Sequence, residues 1–133
     1  MKKPFLLLVI LAALSLTSFT TTDHSPVKKT AKRCGPWFTV YNTSSAVVSS
    51  MQLIYVPSGY TITVVNPVFP YSFPQGGNGD YKINVTFSSV PATGVYVGAN
   101  DYCVKAVNKY ASLTFPALDC SENDIRITNF ACL

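Results

Sequence analysis

The sequence is poor in charged residues and contains one histidine, and both shortages restrict the chemistry that it can support. Charged residues make up 12% of the 133 positions, about half the usual share of roughly 25%. The histidine, His24, precedes the apolar, strand-like part of the chain. A Ser or Cys nucleophile needs an adjacent base, which is most often histidine. We therefore expect a protein that is not an enzyme.

A clustered positive surface is also missing, although basic residues outnumber acidic ones. Six of the ten basic residues precede Cys34, whereas five of the six acidic residues follow it. From Cys34 onward, four basic and five acidic residues give a formal net charge of −1. Binding to phosphate backbones requires several clustered cations. The sequence therefore predicts no nucleic-acid partner.

The N-terminal segment has the layout of a secretory signal peptide. Lys2 and Lys3 precede an apolar run of 12 residues, 5–16, and small polar residues follow it. The run is shorter than the roughly 20 residues that span a bilayer. We expect residues 1–20 to be cleaved, with the cleavage site defined to within a few residues, leaving a secreted, periplasmic or cell-surface protein without a permanent membrane anchor. An uncleaved anchor is the alternative.

Residues 21–33 are polar and basic, which is typical of a flexible tether. The basic cluster at 28–33 has two functional interpretations, a protease-processing site and a contact with an anionic surface. The simpler interpretation is a solvated linker. We place the folded domain at residues 34–133.

Apolar and polar residues alternate along much of this domain, and no long stretch repeats apolar residues at helical spacing. The clearest alternation is residues 81–87, with four apolar residues on one face and three polar residues on the other. Weaker versions occur at 38–42, 47–56, 60–66, 102–107, 110–115 and 124–130. About seven short strands separated by turn residues predict an all-β fold, an antiparallel β-sandwich of immunoglobulin-like or Greek-key type.

Four cysteines, Cys34, Cys103, Cys120 and Cys132, all lie in this domain. An even number in an exported domain predicts two disulfides. Three pairings are open. A weak argument favours Cys103 with Cys120, which would close one strand pair, and Cys34 with Cys132, which would tie the first residue of the domain to its last strand. A zinc site is the rival interpretation, but the sequence has no Cys-x-x-Cys pair. We predict no metal and no cofactor.

The segment 66–75 is the strongest candidate for a binding site. Its three prolines exclude it from a central strand. Phe69, Tyr71 and Phe73 alternate along it and would form an exposed platform for a glycan or an extracellular protein. The alternative is a loop that folds down over the open end of the sandwich and buries Phe69 and Phe73.

By elimination, the sequence favours a non-enzymatic, exported binding or interaction module. One alternative is a secreted protease inhibitor that uses the 66–75 loop, and another is a structural cell-surface subunit that assembles through strand edges. A carboxylate-only glycosidase is a weaker alternative, as is a calcium loop at 119–124. The glycosidase would use Asp80, Asp101 and Asp124.

Overall fold

A computed structural model of the chain describes residues 34–132, which form nine β-strands in two sheets. The predicted signal peptide and tether lie outside the described residues. Within 34–132 there is no helix long and apolar enough to cross a membrane. The strands are β1 (Trp37–Asn42), β2 (Val47–Tyr55), β3 (Tyr60–Val65), β4 (Tyr71–Phe73), β5 (Gly79–Ser89), β6 (Tyr96–Ala99), β7 (Tyr102–Lys105), β8 (Tyr110–Ala117) and β9 (Glu122–Thr128).

The two sheets pack face to face as a β-sandwich, which confirms the predicted fold class. The five-stranded sheet has the order β4-β1-β9-β6-β7, and the four-stranded sheet has the order β3-β2-β5-β8. Two hairpins, β2–β3 and β6–β7, join neighbours within a sheet, and the other connections cross from one sheet to the other. The strand pairs are antiparallel except β1 and β9, which run parallel.

The core forms where the alternating apolar residues of both sheets meet. The Phe38 ring of β1 lies 4.4 Å from the Tyr81 ring and 6.1 Å from the Phe115 ring, which belong to the opposite sheet. Ile83 and Ile125 are fully buried between the sheets. Burial of such side chains stabilises the fold by about 1.5–3 kcal/mol each. The period-two pattern in the sequence therefore marks the inner face of the long strands correctly.

Two strands, β4 and β6, were not predicted from the alternation. The three-residue strand β4 lies between Pro70 and Pro74 at the sheet edge, where proline is tolerated. Strand β6 reads Tyr-Val-Gly-Ala, and its apolar-small composition hides the alternation because both of its faces are covered. Gly98 occupies a position on the outer side of this strand, away from the core, and is nevertheless buried because Cys132 covers it.

The disulfides are Cys34–Cys120, the N-terminal bridge, and Cys103–Cys132, the C-terminal bridge. Two disulfides are confirmed, and they are compatible with an extracellular location. The weakly favoured pairing, 103 with 120 and 34 with 132, is wrong.

The parallel pairing of β1 with β9 explains the N-terminal bridge. Trp37 at the start of β1 lies opposite Glu122 at the start of β9. The cysteines that precede these strands, Cys34 and Cys120, therefore arrive at the same end of the sheet. Their Cα atoms are 5.0 Å apart, and the Cys120 amide donates a hydrogen bond to the Cys34 carbonyl oxygen at 2.8 Å. Antiparallel pairing of these two strands would have separated the two residues.

The C-terminal bridge forms because the chain turns back after β9 and crosses β6. Cys103 in β7 lies opposite Gly98 in β6, and Gly98 in turn lies opposite Arg126 in β9. The Cys103 and Cys132 Cα atoms are 5.8 Å apart, so the bridge spans the face of β6 at Gly98. The bridge thus fixes residues 129–132 against the outer face of the five-stranded sheet.

Candidate functional site

The candidate site is the outer face of the five-stranded sheet, which we call the outer face. Its first part is strand β1, where alternation buries Phe38 and Val40 and directs Trp37, Thr39 and Tyr41 outward. Trp37 is 43% exposed and Tyr41 is 38% exposed. The two aromatic residues are four positions apart on the strand, a distance of about 13 Å along the sheet. Two flat apolar rings are thus presented on one strand at a fixed spacing.

Strand β9 adds a row of charged side chains beside these rings. The parallel register places Glu122 next to Trp37, Asp124 next to Thr39, and Arg126 next to Tyr41. Alternation along β9 directs all three charged side chains outward, because Asn123, Ile125 and Ile127 are buried. The face therefore alternates between aromatic surface and hydrogen-bonding groups.

The polar groups of the outer face are largely free to bind a ligand. Arg126 Nη2 lies 3.3 Å from Asp124 Oδ2, and both side chains are well exposed. An exposed pair of this kind contributes little to stability. On the other side of β1, the hydroxyls of Thr39 and Ser72 lie 3.3 Å apart. Carboxylate, guanidinium and hydroxyl groups thus offer both donors and acceptors within one patch.

Two hollows flank the charged row and share Glu122 and Asp124. The larger, of about 740 Å³, lies between β9 and the C-terminal segment 129–132. The smaller, of about 350 Å³, lies between β9 and the aromatic residues Trp37 and Tyr41. Volumes of this size fall within or near the range of about 300–1,000 Å³ found for small-molecule sites. The outer face is therefore a grooved surface rather than a flat sheet.

Gly98 makes the larger hollow possible. An added Cβ at this position would lie 2.6 Å from Cys132 Sγ, so a side chain would displace the C-terminal bridge. With glycine there, the C-terminal segment lies close to the sheet and forms the wall of the hollow. Phe130 in this segment is 79% exposed and adds a third aromatic ring beside the groove.

A buried amide holds β1 and β9 in register beneath the site. Asn123 is 3% exposed, and it is the one polar residue that is buried within residues 34–132. Its Oδ1 accepts a hydrogen bond from Asn100 Nδ2 at 3.1 Å, and its Nδ2 donates to the Trp37 carbonyl oxygen at 3.3 Å and to Ser121 Oγ at 3.0 Å. A buried amide satisfied in this way rigidifies the structure around it. The backbone that carries Trp37 is consequently fixed.

The three aromatic residues predicted from the 66–75 segment lie elsewhere, against the core. Phe73 is 3% exposed and belongs to the core, while Phe69 and Tyr71 are half-buried and pack against it. The Tyr71 and Phe73 rings contact each other edge to face at 5.0 Å. The three rings do not form an exposed platform. The burial of Phe73 agrees with the alternative interpretation, but this residue lies in the edge strand β4 and not in a loop over the open end of the sandwich.

The structure does not bring together the three carboxylates of the glycosidase hypothesis. Asp80 lies at the start of β5 in the four-stranded sheet, whereas Asp124 projects from the outer face of the other sheet. Sandwiched sheets lie about 10 Å apart, so these two residues cannot flank one glycosidic bond. Asp101 lies in the exposed turn between β6 and β7. Among residues 34–132, no group of three or more Cys, His, Asp or Glu is placed to hold a metal ion.

A second concave region, the edge cleft, lies between β3 and the segment 74–77. It measures about 470 Å³ and is lined by Tyr55, Tyr60 and Ile62 among others. The Tyr55 and Tyr81 hydroxyls donate to loop carbonyl oxygens, at 2.9 Å to Asn78 and at 2.7 Å to Gly77. Burial raises the pKa of Tyr81, and the neighbouring Tyr55 raises it further. These hydroxyls hold the loop and are not free to bind a ligand.

Sequence reasoning missed the outer face, although a signal for it was present. Strand β1 carries aromatic residues at three of its first five positions, 37, 38 and 41, so one side of the strand must expose aromatic surface. The partner row could not be found in this way, because the parallel pairing of β1 with β9 joins segments about 85 residues apart.

Comparison of the chain with protein-family models, with curated proteins and with solved structures finds no match in any of the three.

Proposed function

We propose that the protein is an exported, non-enzymatic binding module that recognises a glycan on the outer face. The observation that carries this proposal is the pairing of Trp37 and Tyr41 with the row of Glu122, Asp124 and Arg126. Sugar rings have apolar C–H faces that pack on flat aromatic rings, and their hydroxyls need both donors and acceptors. The outer face offers both kinds of contact side by side.

The charge of the outer face favours a neutral or weakly charged ligand. The negative charges of Glu122 and Asp124 are balanced by the positive charges of Arg126 and Lys105. Lys105 lies opposite Tyr96 in the sheet, with its Nζ 5.7 Å from the centre of the Tyr96 ring. The four charges cancel formally, so neither a polyanion nor a polycation gains from long-range attraction. An extracellular protein is the second class of ligand, and the groove shape favours the glycan over it, since protein interfaces are broader.

Export of the protein is part of this proposal. In this proposal residues 1–20 are the cleaved signal peptide and residues 21–33 are the flexible basic tether that precedes the domain. The two disulfides agree with a protein that works outside the reducing cytosol.

The experiment is a glycan array probed with the purified protein, followed by titration of the best oligosaccharide. Trp37 is the sole tryptophan of the chain and lies in the site, so its fluorescence reports ligand stacking directly. Tyr41→Ala should weaken binding about tenfold or more, the effect of losing roughly 1.4 kcal/mol.

Tyr110→Ala is the matched control. Tyr110 is 44% exposed, close to the 38% of Tyr41, but lies on the outer side of the four-stranded sheet. Its replacement should leave the affinity unchanged. Equal affinity in the Tyr41 and Tyr110 variants would overturn the proposed site. Binding of an extracellular protein with no glycan bound would overturn the ligand class.

A further inference from the structure

The four-stranded sheet ends in an edge strand, β3, that lacks the features that usually prevent strands from pairing between molecules. It reads Tyr-Thr-Ile-Thr-Val-Val, a run of aromatic and β-branched residues. Residues 56–66 contain no charged side chain, and β3 itself contains neither proline nor a bulge. Natural edges normally carry lysine, proline, a bulge or a very short strand for this purpose.

The other three edges of the sandwich have such protection. Strand β4 is three residues long and lies between two prolines, and β7 is four residues long and ends at Lys105. Strand β8 carries Pro116, which has no N–H to offer, and its carbonyl oxygen accepts a hydrogen bond from Asn100 Nδ2 at 3.1 Å. Among the four sheet edges within residues 34–132, β3 is therefore the one without such protection.

The hydrogen-bond alternation shows which groups of β3 are free. The Asn66 amide donates to the Ser49 carbonyl oxygen at 2.8 Å. In an antiparallel pair the residues bonded to the partner alternate, so Ile62 and Val64 bond to β2. The backbone groups of Thr61, Thr63 and Val65 therefore point away from the sheet. Within residues 34–132, β2 is the one strand that pairs with β3, so these N–H and C=O groups are unpaired in the sheet.

We propose that β3 pairs with the β3 of a second copy of this chain, antiparallel and two-fold symmetric about Thr63. This register places Thr63 opposite Thr63 of the second copy, with Thr61 opposite Val65 on either side. A two-fold axis uses the same patch on both molecules. The two sheets then join into one continuous eight-stranded sheet.

The side chains of β3 fit this self-pairing. On the outer side, Thr61, Thr63 and the 68%-exposed Val65 form threonine and β-branched cross-strand pairs, which are favourable. On the inner side, the half-buried Ile62 packs beside Val64 of the second copy. Because the strand is uncharged, no like charges meet across the axis. An acidic or basic peptide would find no opposite charge on this strand. A second copy supplies the same uncharged threonine and β-branched residues for cross-strand pairs, and we therefore take it as the occupant.

Sedimentation of the purified protein tests the proposal. We expect a concentration-dependent dimer with a dissociation constant below about 1 mM. Thr63→Lys should raise this dissociation constant at least about tenfold, because two lysines would meet at the two-fold axis. Thr86→Lys is the control, since Thr86 is an exposed strand threonine in the middle of the same sheet. Its dimer should match that of the original protein. A protein that stays monomeric, or a dimer indifferent to Thr63→Lys, overturns the proposal.

Cross-linking tests the register independently. Opposed Thr63→Cys residues have Cα atoms about 5.5 Å apart, inside the range of about 4.4–6.8 Å that a disulfide accepts. Mild oxidation should therefore give a covalent dimer. Val65→Cys, whose copies lie about 13 Å apart in this register, should not. Cross-linking through residue 65 and not through residue 63 would refute the register. Tyr41→Ala should leave dimerisation unchanged, so failure here is distinct from failure of glycan binding.

Discussion

Gly98 is the position where a single added methyl group should reveal how the C-terminal segment is held. The residue lies in β6 between β7 and β9, and its outward side is covered by the C-terminal bridge. A Cβ built there lies 2.6 Å from Cys132 Sγ and 3.4 Å from the Tyr102 carbonyl oxygen. The sulfur is bonded to Cys103 and cannot swing away. Overpacking of this kind costs about 1–3 kcal/mol, so Gly98→Ala should destabilise the protein by that amount.

Removing the C-terminal bridge should reverse the sign of the effect. With Cys103 and Cys132 both replaced by alanine, the C-terminal segment is free to move off β6. Gly98 is not among the residues with positive φ, so alanine fits the backbone. Alanine in place of glycine within a strand then stabilises by about 0.5–1 kcal/mol, chiefly by restricting the unfolded chain. The two effects differ by about 1.5–4 kcal/mol, which is the coupling between Gly98 and the bridge.

Urea unfolding of four proteins measures this coupling. They are the original protein, Gly98→Ala, the bridge-free variant, and the bridge-free variant with Gly98→Ala. Far-UV circular dichroism and Trp37 fluorescence should give coincident transitions, which justifies a two-state free energy. An equal loss from Gly98→Ala with and without the bridge would show that the bridge does not press on β6, and the reasoning would be refuted.

The remaining predictions concern the bridges, the core and a buried phenol. Removing the N-terminal bridge, with a sequence separation of 86, should cost about 4.5 kcal/mol, against about 3.5 kcal/mol for the C-terminal bridge with its separation of 29; the reverse order in urea unfolding would contradict the chain-entropy account. Phe73→Ala should lose about 3–5 kcal/mol, whereas Val68→Ala, at an 81%-exposed position, should stay within about 0.5 kcal/mol; similar losses for both would place Phe73 outside the core. Burial and the neighbouring Tyr55 raise the pKa of Tyr81, so the folded state keeps this proton more tightly than the unfolded chain. That stabilisation is fully present below the ordinary tyrosine value of about 10 and is lost as the pH rises through the folded pKa. The unfolding free energy should therefore fall less steeply above pH ~10 in Tyr81→Phe than in the original protein, and identical slopes would refute the assignment.

The candidate site was harder to predict than the fold, for a physical reason visible in β1 and β9. The alternation in residues 81–87 is a local property of the chain, because each side chain's face follows from its neighbours. The site depends on Tyr41 lying beside Arg126, and that neighbour relation is set by the parallel pairing of two distant strands. The binding-site prediction for 66–75 rested on a local feature, the three prolines of this segment. Phe73 lies in the core because β4 pairs with β1, and that pairing is not a local property of the sequence.

Local sequence patterns are enough to predict the all-β class, the presence of two disulfides and the inner face of the long strands. These follow from alternation, turn residues and an even cysteine count, which do not depend on which strands meet. The disulfide pairing, the composition of the outer face and the exposure of the β3 edge are visible only in the folded protein. Each of these depends on which distant segments become neighbours, and that choice is made by the packing of the two sheets as a whole.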